Sequence, residues 1–542
     1  MRNVRLLDCT LRDGGRIVDC KFPDDEIREI SRRLCNARID IVELGFLRDW
    51  RNTNYSGNST FFTNPNQINK FVFDDKKTLF VAFIDFGMFD FDSLQEYKGK
   101  GIRGLRVGFT KKDYIDHRDE IIRCFKIVQE KGYLLFIQGV NTLGYSDKEL
   151  VEIVDMVNDV NPYSFGIVDT YGAMYIDDLQ RIYTLIDHNL KQNICIDFHS
   201  HNNFQLSFSF AQEIIKLSRG TRQIIIDGTL NGMGKVAGNL NTELIVDFMN
   251  RKLGYNYDYD LILDTIDDYI YKYKEEYQWG YSIPGVMAGV YKSHPNNVIY
   301  LTEKMRLATK DVKYMLSMIE PDLRQRYDYE NIKELYKKYN HENIDDTASL
   351  NFLKKIMQDR ELLLLFPGYS IDFYKEKIKG YIDKNKPVII TVNFIPSEIN
   401  GDDVLYFFGS EKRYLQYREI NDIQKCIVVS NIINRQGKEI VVNYETLVNR
   451  EREYFDNTGI MLLNLLKRIG RERFAIAGFD GFTGSGNNYS KERSFGENRY
   501  RDKFNELNED LTGSLSDYAK SLKHKNEVVF LTPSLFENIF KD

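Results

Sequence analysis

Ile194-Cys195-Ile196-Asp197-Phe198-His199-Ser200-His201 is a short apolar run that turns polar at its end. Seven similar runs lie at 5–9, 40–46, 78–84, 104–109, 133–138, 164–170 and 223–230, separated by longer amphipathic segments such as 24–37 and 146–158. Strand-like runs alternating with helical segments are the pattern of repeated βα units around a parallel sheet. Eight parallel strands close a TIM barrel, and a total near 250 residues fits that architecture better than an open doubly wound sheet, which is the alternative.

The chain continues well past a barrel. Its 542 residues predict more than one domain at roughly 100–200 residues each. Residues 1–303 are expected to form the barrel and 304–360 a charged helical connector, with a clear helix at 328–339. Residues 361–542 hold a second strand series at 362–366, 388–394, 404–408, 427–430, 440–444 and 474–479, with helical segments at 370–383 and 459–469 and a last strand and turn at 527–534. That series predicts a Rossmann-like α/β domain. Lys+Arg 74 against Asp+Glu 80 gives a net charge of −6 with no basic run, which argues against a grip on nucleic-acid phosphates. No apolar run reaches the ~18 residues of a membrane span, and no signal-peptide stretch forms before Asp8, Arg12 and Asp13, so a cytoplasmic protein is expected. The six cysteines are scattered without a CxxC pair, and buried thiols are expected.

Side chains alternate faces along a strand, so His199 and His201 point the same way and can share one ion through their imidazoles. Two hydrogen-bonded structural histidines are the alternative. Position favours the metal, because barrel active sites form at the C-terminal strand ends. Polar residues gather at those ends: Asp8 to Asp13, Glu43, Asp85, Gln138, Asn141, Asp169, Thr170, the two histidines, and Asn231 to Asn239. One carboxylate, with Asp13 the candidate, would complete a mixed N/O site suited to Mn²⁺, Mg²⁺, Co²⁺ or Zn²⁺.

The opening Leu7-Asp8-Cys9-Thr10-Leu11-Arg12-Asp13-Gly14-Gly15 resembles the first-strand signature of the DRE-TIM metallolyases, the HMGL-like superfamily of pyruvate aldolases, HMG-CoA lyases and isopropylmalate synthases. His199-Ser200-His201-Asn202 resembles its second signature. The likeness extends to Val42-Glu43-Leu44-Gly45-Phe46, Val168-Asp169-Thr170-Tyr171-Gly172 and the Gly-rich segment from Gly232 to Glu243. Ala288-Gly289-Val290-Tyr291 resembles a stretch following the barrel of the 4-hydroxy-2-oxovalerate aldolase-like branch. The resemblance implies Asp13, His199 and His201 as metal ligands, Asn239 at or beside the metal, Arg12 against the enolate oxygen, and Tyr291 as an acid or relay. Arg16, Glu43, Gln138 and Thr170 are the candidate substrate contacts. The implied reaction joins or splits pyruvate and an aldehyde through a pyruvate-type enolate, with Mn²⁺ or Mg²⁺ preferred over Co²⁺ or Zn²⁺. A homo-oligomer is expected.

Two departures bear on that reading. Pyruvate aldolases resemble one another in a histidine base three residues after the ligand aspartate, whereas Arg16 stands here, and a guanidinium is a poor proton acceptor. Arg16 is suited instead to an extra anionic group on the substrate. His294 lies near Tyr291 in sequence, with a capped surface histidine as its alternative role. The Gly-rich loop carries Lys235 rather than the reactive cysteine of HMG-CoA lyase, which disfavours thioester cleavage. A Claisen-type acyl-CoA synthase and a non-catalytic metal-binding scaffold are the rival functions.

In the second domain, Phe366-Pro367-Gly368-Tyr369-Ser370-Ile371 follows the first run, where a doubly wound fold brings backbone N–H groups to a phosphate. Gly368, Ser370 and Asp480 are the candidate contacts there. The half is faintly similar to nucleotide-sugar-handling domains of surface-glycan pathways, implying a nucleotide or sugar ligand. Residues 484–500, rich in Gly, Asn and charge, are expected to form a mobile loop.

Overall fold

A computed structural model describes residues 3–73, 77–304, 307, 309–340, 344–399, 401–417, 423–432, 434–449, 452, 456–483, 488–490, 503–523 and 527–541. The chain divides into two units, Met1–Ile332 and Lys333–Asp542. Of the expected loop at 484–500, only Asn488, Tyr489 and Ser490 are among the described residues.

The first unit is a closed parallel barrel. Its strands are β1 (Val4–Asp8), β2 (Ile41–Leu47), β3 (Leu79–Asp85), β4 (Gly104–Phe109), β5 (Leu134–Gly139), β6 (Ser164–Asp169), β7 (Cys195–Ser200) and β8 (Ile224–Gly228). Each pairs with its sequence neighbour, and β1 closes the ring by pairing with both β2 and β8. A two-residue strand, Phe61–Phe62, also lies against β2. It is too short to leave a periodic signal. β2 bulges between Glu43 and Phe46, where Gly45 takes a φ of 147° and a Cβ would sit 2.2 Å from the Thr60 carbonyl oxygen.

Period-two alternation builds the barrel interior in layers. At the base, Leu7, Ile41, Val81, Phe136, Cys195 and Ile225 pack together. Two residues further along β2, β7 and β8 stand Glu43, Asp197 and Asp227, joined by Arg106 from β4. Two residues beyond Asp197 stands His199. Thus one stripe on β7, Cys195-Asp197-His199, runs from an apolar floor through a charged layer to the site. Gly166 on β6 leaves room for this layer, since a Cβ there would lie 2.2 Å from Gln138 Oε1.

Helices fill the outer ring for ordinary reasons. Asp24–Asn36 buries Ile27, Ile30 and Leu34 at helical spacing. Lys111–Glu130 and Asp147–Val160 each begin with a reciprocal capping box, Thr110 with Asp113 and Ser146 with Glu149. Helices at Thr309–Met318, Pro321–Arg324, Tyr329–Asn340 and Thr347–Met357 occupy the expected connector region. All six cysteines are buried, as expected.

The second unit is a parallel seven-stranded sheet. Its strands are β9 (Leu362–Leu365), β10 (Val388–Val392), β11 (Val404–Phe408), β12 (Cys426–Val429), β13 (Ile440–Val442), β14 (Phe474–Ala477) and β15 (Val528–Phe530). The order is β13-β12-β11-β10-β9-β14-β15, so the winding reverses between β9 and β14. Ligands of open α/β sheets bind at such a reversal.

Candidate metal centre

Asp13, His199 and His201 converge at the C-terminal mouth of the barrel, as one of two groups of potential ligands among the described residues. Asp13 Oδ2 lies 3.8 Å from His199 Nε2 and 3.7 Å from His201 Nε2. Those separations are too long for hydrogen bonds yet suited to three donors around one ion. The other Asp13 oxygen accepts from Arg12 Nη1 at 2.6 Å, and Arg16 Nε stands 3.3 Å from it. Asn239 donates to Asp13 Oδ2 at 3.1 Å and to the Met233 carbonyl at 2.9 Å. Its own carbonyl oxygen is buried without a hydrogen-bond partner.

Three observations fit this cluster to a divalent cation. First, His199 Nδ1 is held by Asp227 Oδ2 at 3.0 Å, which fixes the ring with Nε2 toward Asp13. Second, burial pushes both histidines down to about 4, keeping them neutral with a lone pair to give. Burial also opposes ionisation of Asp13, but the Arg12 guanidinium above all, with Arg16 behind it, outweighs that and holds the carboxyl well below its usual range. Third, the buried groups here are four carboxylates, Asp13, Glu43, Asp197 and Asp227, against two guanidiniums, Arg12 and Arg106. Burial raises Asp197 and Asp227, and Arg16 also faces Asp13, but carboxylates still outnumber guanidiniums in these layers, a balance that favours a cation at the mouth.

Arg12 is buried and directed by two carboxylates. Besides Asp13 it donates through Nε to Glu43 Oε2 at 2.6 Å, and its guanidinium lies 4.6 Å over the Phe83 ring. Burial works against its charge, while Glu43 and Asp13 more than restore it. Glu43 Oε2 also accepts from Arg106 at 3.1 Å, so the site and the layer beneath it share one carboxylate.

The other sequence candidates divide. Arg16 joins the cluster, with Asp85 3.8 Å from its Nη2. Gln138 lies in the buried layer, donating to Asp197 at 2.7 Å. Thr170 accepts from the Asn141 backbone N–H at 2.7 Å, and Asp169 caps the Ala173 and Met174 N–H groups. Tyr291 caps the helix Ile283–Val290 with Arg324 5.4 Å over its ring. Among the described residues no hydrogen bond ties it to the metal cluster.

Sequence reasoning missed Arg106, Asp197 and Asp227. The available signal was a lone charge inside an otherwise apolar strand, as in Ile224-Ile225-Ile226-Asp227, because a buried charge must be paired. Burial pushes Asp197 up to about 7 and raises Asp227 against the pull of Arg106.

Asp8, in the first-strand signature, is structural. It accepts from Thr242 Oγ1 at 2.7 Å and from the Thr10 N–H at 3.0 Å, and burial pushes it up to about 6. An unfolded aspartate titrates near ~3.9, so the folded state holds the extra proton between about pH 4 and pH 6. Stability therefore falls as pH rises through that window. Asp8→Asn can keep both bonds, and its barrel should unfold roughly 2–6 °C above wild type at pH 8 with no gain at pH 4, as thermal melts would show.

In the second unit, Gly368, Ser370 and Asp480 do come together where the winding reverses. Asp480 accepts from the Ser370 N–H at 2.7 Å and from its hydroxyl, and the Gly368 N–H donates to the Gly478 carbonyl at 2.9 Å. The Gly368 and Ser370 N–H groups are thus engaged within the protein. Beside them lies a cavity of about 180 Å³ walled by Phe366, Phe479, Arg413 and Asn393.

A family model described as HMGL-like matches residues 106–268. A 4-hydroxy-2-oxovalerate aldolase of Bacillus thuringiensis (strain Al Hakam) is 23% identical over 318 residues, covering 57% of this chain and 89% of its own. One from Carboxydothermus hydrogenoformans is 24% identical over 333 residues, covering 59% and 93%. The structure of HMG-CoA lyase from Brucella melitensis aligns with a TM-score of 0.40 at 10% identity, covering 49% of this chain and 96% of its own. No helix among the described residues is long and apolar enough to cross a membrane.

Proposed function

The N-terminal barrel belongs to the HMGL-like superfamily of DRE-TIM metallolyases, and we propose that it is a divalent-metal-dependent aldolase acting through a pyruvate-type enolate. In the cleavage direction a 4-hydroxy-2-oxo acid passes its hydroxyl proton to a base, a role for which the Arg16 guanidinium is unsuited and to which no candidate residue is assigned. The bond between its third and fourth carbons breaks, an aldehyde leaves, and the electron pair remains as enolate until a proton returns to give pyruvate. The observation that carries the reading is the juxtaposition of Asp13, His199 and His201 with the buried fork of Arg12.

When bound, a divalent ion would supply Lewis-acid polarisation of the keto acid, with Asp13, His199, His201 and the orphaned Asn239 oxygen as its holders. The protein's own groups supply the rest. Asp13 and Glu43 engage two of the five N–H donors of Arg12, which fixes the plane of the fork. Its remaining donors can meet an enolate oxygen in a site already out of water, where a fixed dipole or charge acts most strongly. Phe83 and Phe46 border that guanidinium and keep solvent from it.

The test is proton NMR of pyruvate in D₂O with metal-loaded and chelated protein. Metal-dependent loss of the methyl signal is expected. Absence of exchange with metal demonstrably bound would sink the aldolase reading and favour the binding scaffold, toward which the Arg16 guanidinium on Asp13 leans. Arg12→Lys should retain the metal while the exchange rate drops roughly 10–100-fold, because a point charge replaces a fork that spans Asp13 and Glu43. An unchanged rate would remove Arg12 from the mechanism.

A further inference from the structure

Resting on that reading, we infer that the aldehyde handled by the barrel carries its own oxyanion, a phosphate or a carboxylate, and that Arg16, Lys235 and His294 form the subsite for it. The barrel mouth opens into a cavity of about 660 Å³ lined by Arg16, Lys235, Trp279, Tyr281, Asn296 and Tyr329. Arg16 connects this cavity to the metal centre, since its Nε stands 3.3 Å from Asp13 Oδ1 and its guanidinium is held 4.6 Å over the Phe46 ring. Asp85, 3.8 Å from Arg16, is shared with Arg48 at 3.6 Å.

Lys235 is half-buried in the Gly-rich loop that also presents Asn239. Its ammonium donates to Asn296 Oδ1 at 3.3 Å, and among the described residues no carboxylate comes within ion-pair distance. Asp19 and Glu276 also line the cavity, but neither pairs with it. Burial, and then the charge of Arg16, pull its pKa down. Asp19 and Asp13 act on Lys235 only from beyond ion-pair distance, so two neighbouring cations, one of them half out of water and without a directly paired carboxylate, gain from an anion between them. A fork beside an ammonium is a donor set matched to phosphate or carboxylate.

His294 completes the set. Its Nδ1 accepts the Asn296 backbone N–H at 3.1 Å, so the neutral ring carries its proton on Nε2 and is a donor there. Asn296, which lines the cavity and accepts from Lys235 through its side chain, is the residue whose N–H His294 holds, so the imidazole stands beside the Lys235 ammonium at the cavity wall. Arg12 already serves the keto-acid end, so this second cationic patch belongs to the acceptor end. The Arg16 that stands where a base is expected is thereby given a function of its own.

Binding can be tested without turnover, by titrating metal-loaded protein calorimetrically with glycerol phosphate and with glutarate. Wild type should bind one of these at least tenfold more tightly than Lys235→Met does, and Lys235→Arg should retain most of that affinity. Tighter glycerol phosphate identifies a phosphoryl group and tighter glutarate a carboxylate. Equal affinities for wild type and Lys235→Met would overturn the inference, as would an equal loss in the distant variant Lys252→Met. So would an Lys235→Met protein whose KM for pyruvate exchange rises while anion affinity stays put, since the patch would then serve the keto acid. Failure of the aldolase reading is separate: it appears as absent methyl exchange in wild type, whatever the titration gives.

Discussion

The His199→Ala protein is expected to emerge from gel filtration with its divalent ion lost, while His117→Ala, altered at an exposed histidine, retains it. His199 contributes more than one ligand atom. Its Nε2 faces Asp13 Oδ2 at 3.8 Å, and its Nδ1 is tied to Asp227 Oδ2 at 3.0 Å, itself bonded to Arg106 at 2.6 Å. Removing the ring leaves Asp13, His201 and Asn239 as donors and deprives Asp227 of a partner. Loss of an outer partner alone typically costs about 10–100-fold in metal affinity, so loss of the ligand should exceed that. Elemental analysis of the eluted protein gives the stoichiometry directly. An undiminished value would overturn the ligand assignment and return His199 and His201 to a structural pair.

What the sequence made legible follows from how each feature is encoded. The eight barrel strands were readable because each is a compact apolar run whose ends change character abruptly, and the pairing of β1 with β8 follows once eight are counted. The HxH stripe was readable because alternation is a local rule. By contrast, Arg106 meets Glu43, Asp197 and Asp227 across separations of 63, 91 and 121 residues, and no local pattern names such partners. The Gly368 loop shows the same limit. Its position after β9 was legible, but Asp480 reaches it from 110 residues away and engages the Ser370 N–H, one of the groups a phosphate could have used. Tyr291 was chosen by resemblance to a motif, and its contact with Arg324 depends on a helix outside the barrel.

The largest stability effect should come from Arg106, which touches no substrate. Its guanidinium is fully buried, with Glu43 at 3.1 Å, Asp197 at 3.0 Å and Asp227 at 2.6 Å. Such a cluster need not be stabilising compared with an apolar layer, but removing its central cation leaves buried carboxylates without compensation, at a cost of about 3–5 kcal/mol. Arg106→Leu should therefore lower barrel stability by that amount at pH 8 in urea unfolding. Arg106→Lys should fall between, because a single ammonium cannot span three carboxylates. The pH dependence separates charge from packing. Burial already places Asp197 near 7 and raises Asp227 even with the cation present. Without it both shift further up, so lowering the pH to about 5.5 neutralises them in the folded variant and shrinks its deficit. A cavity left by the missing side chain would cost the same at either pH. A deficit that does not change between pH 8 and pH 5.5 would mean that Arg106 serves the barrel by filling space rather than by pairing Glu43, Asp197 and Asp227.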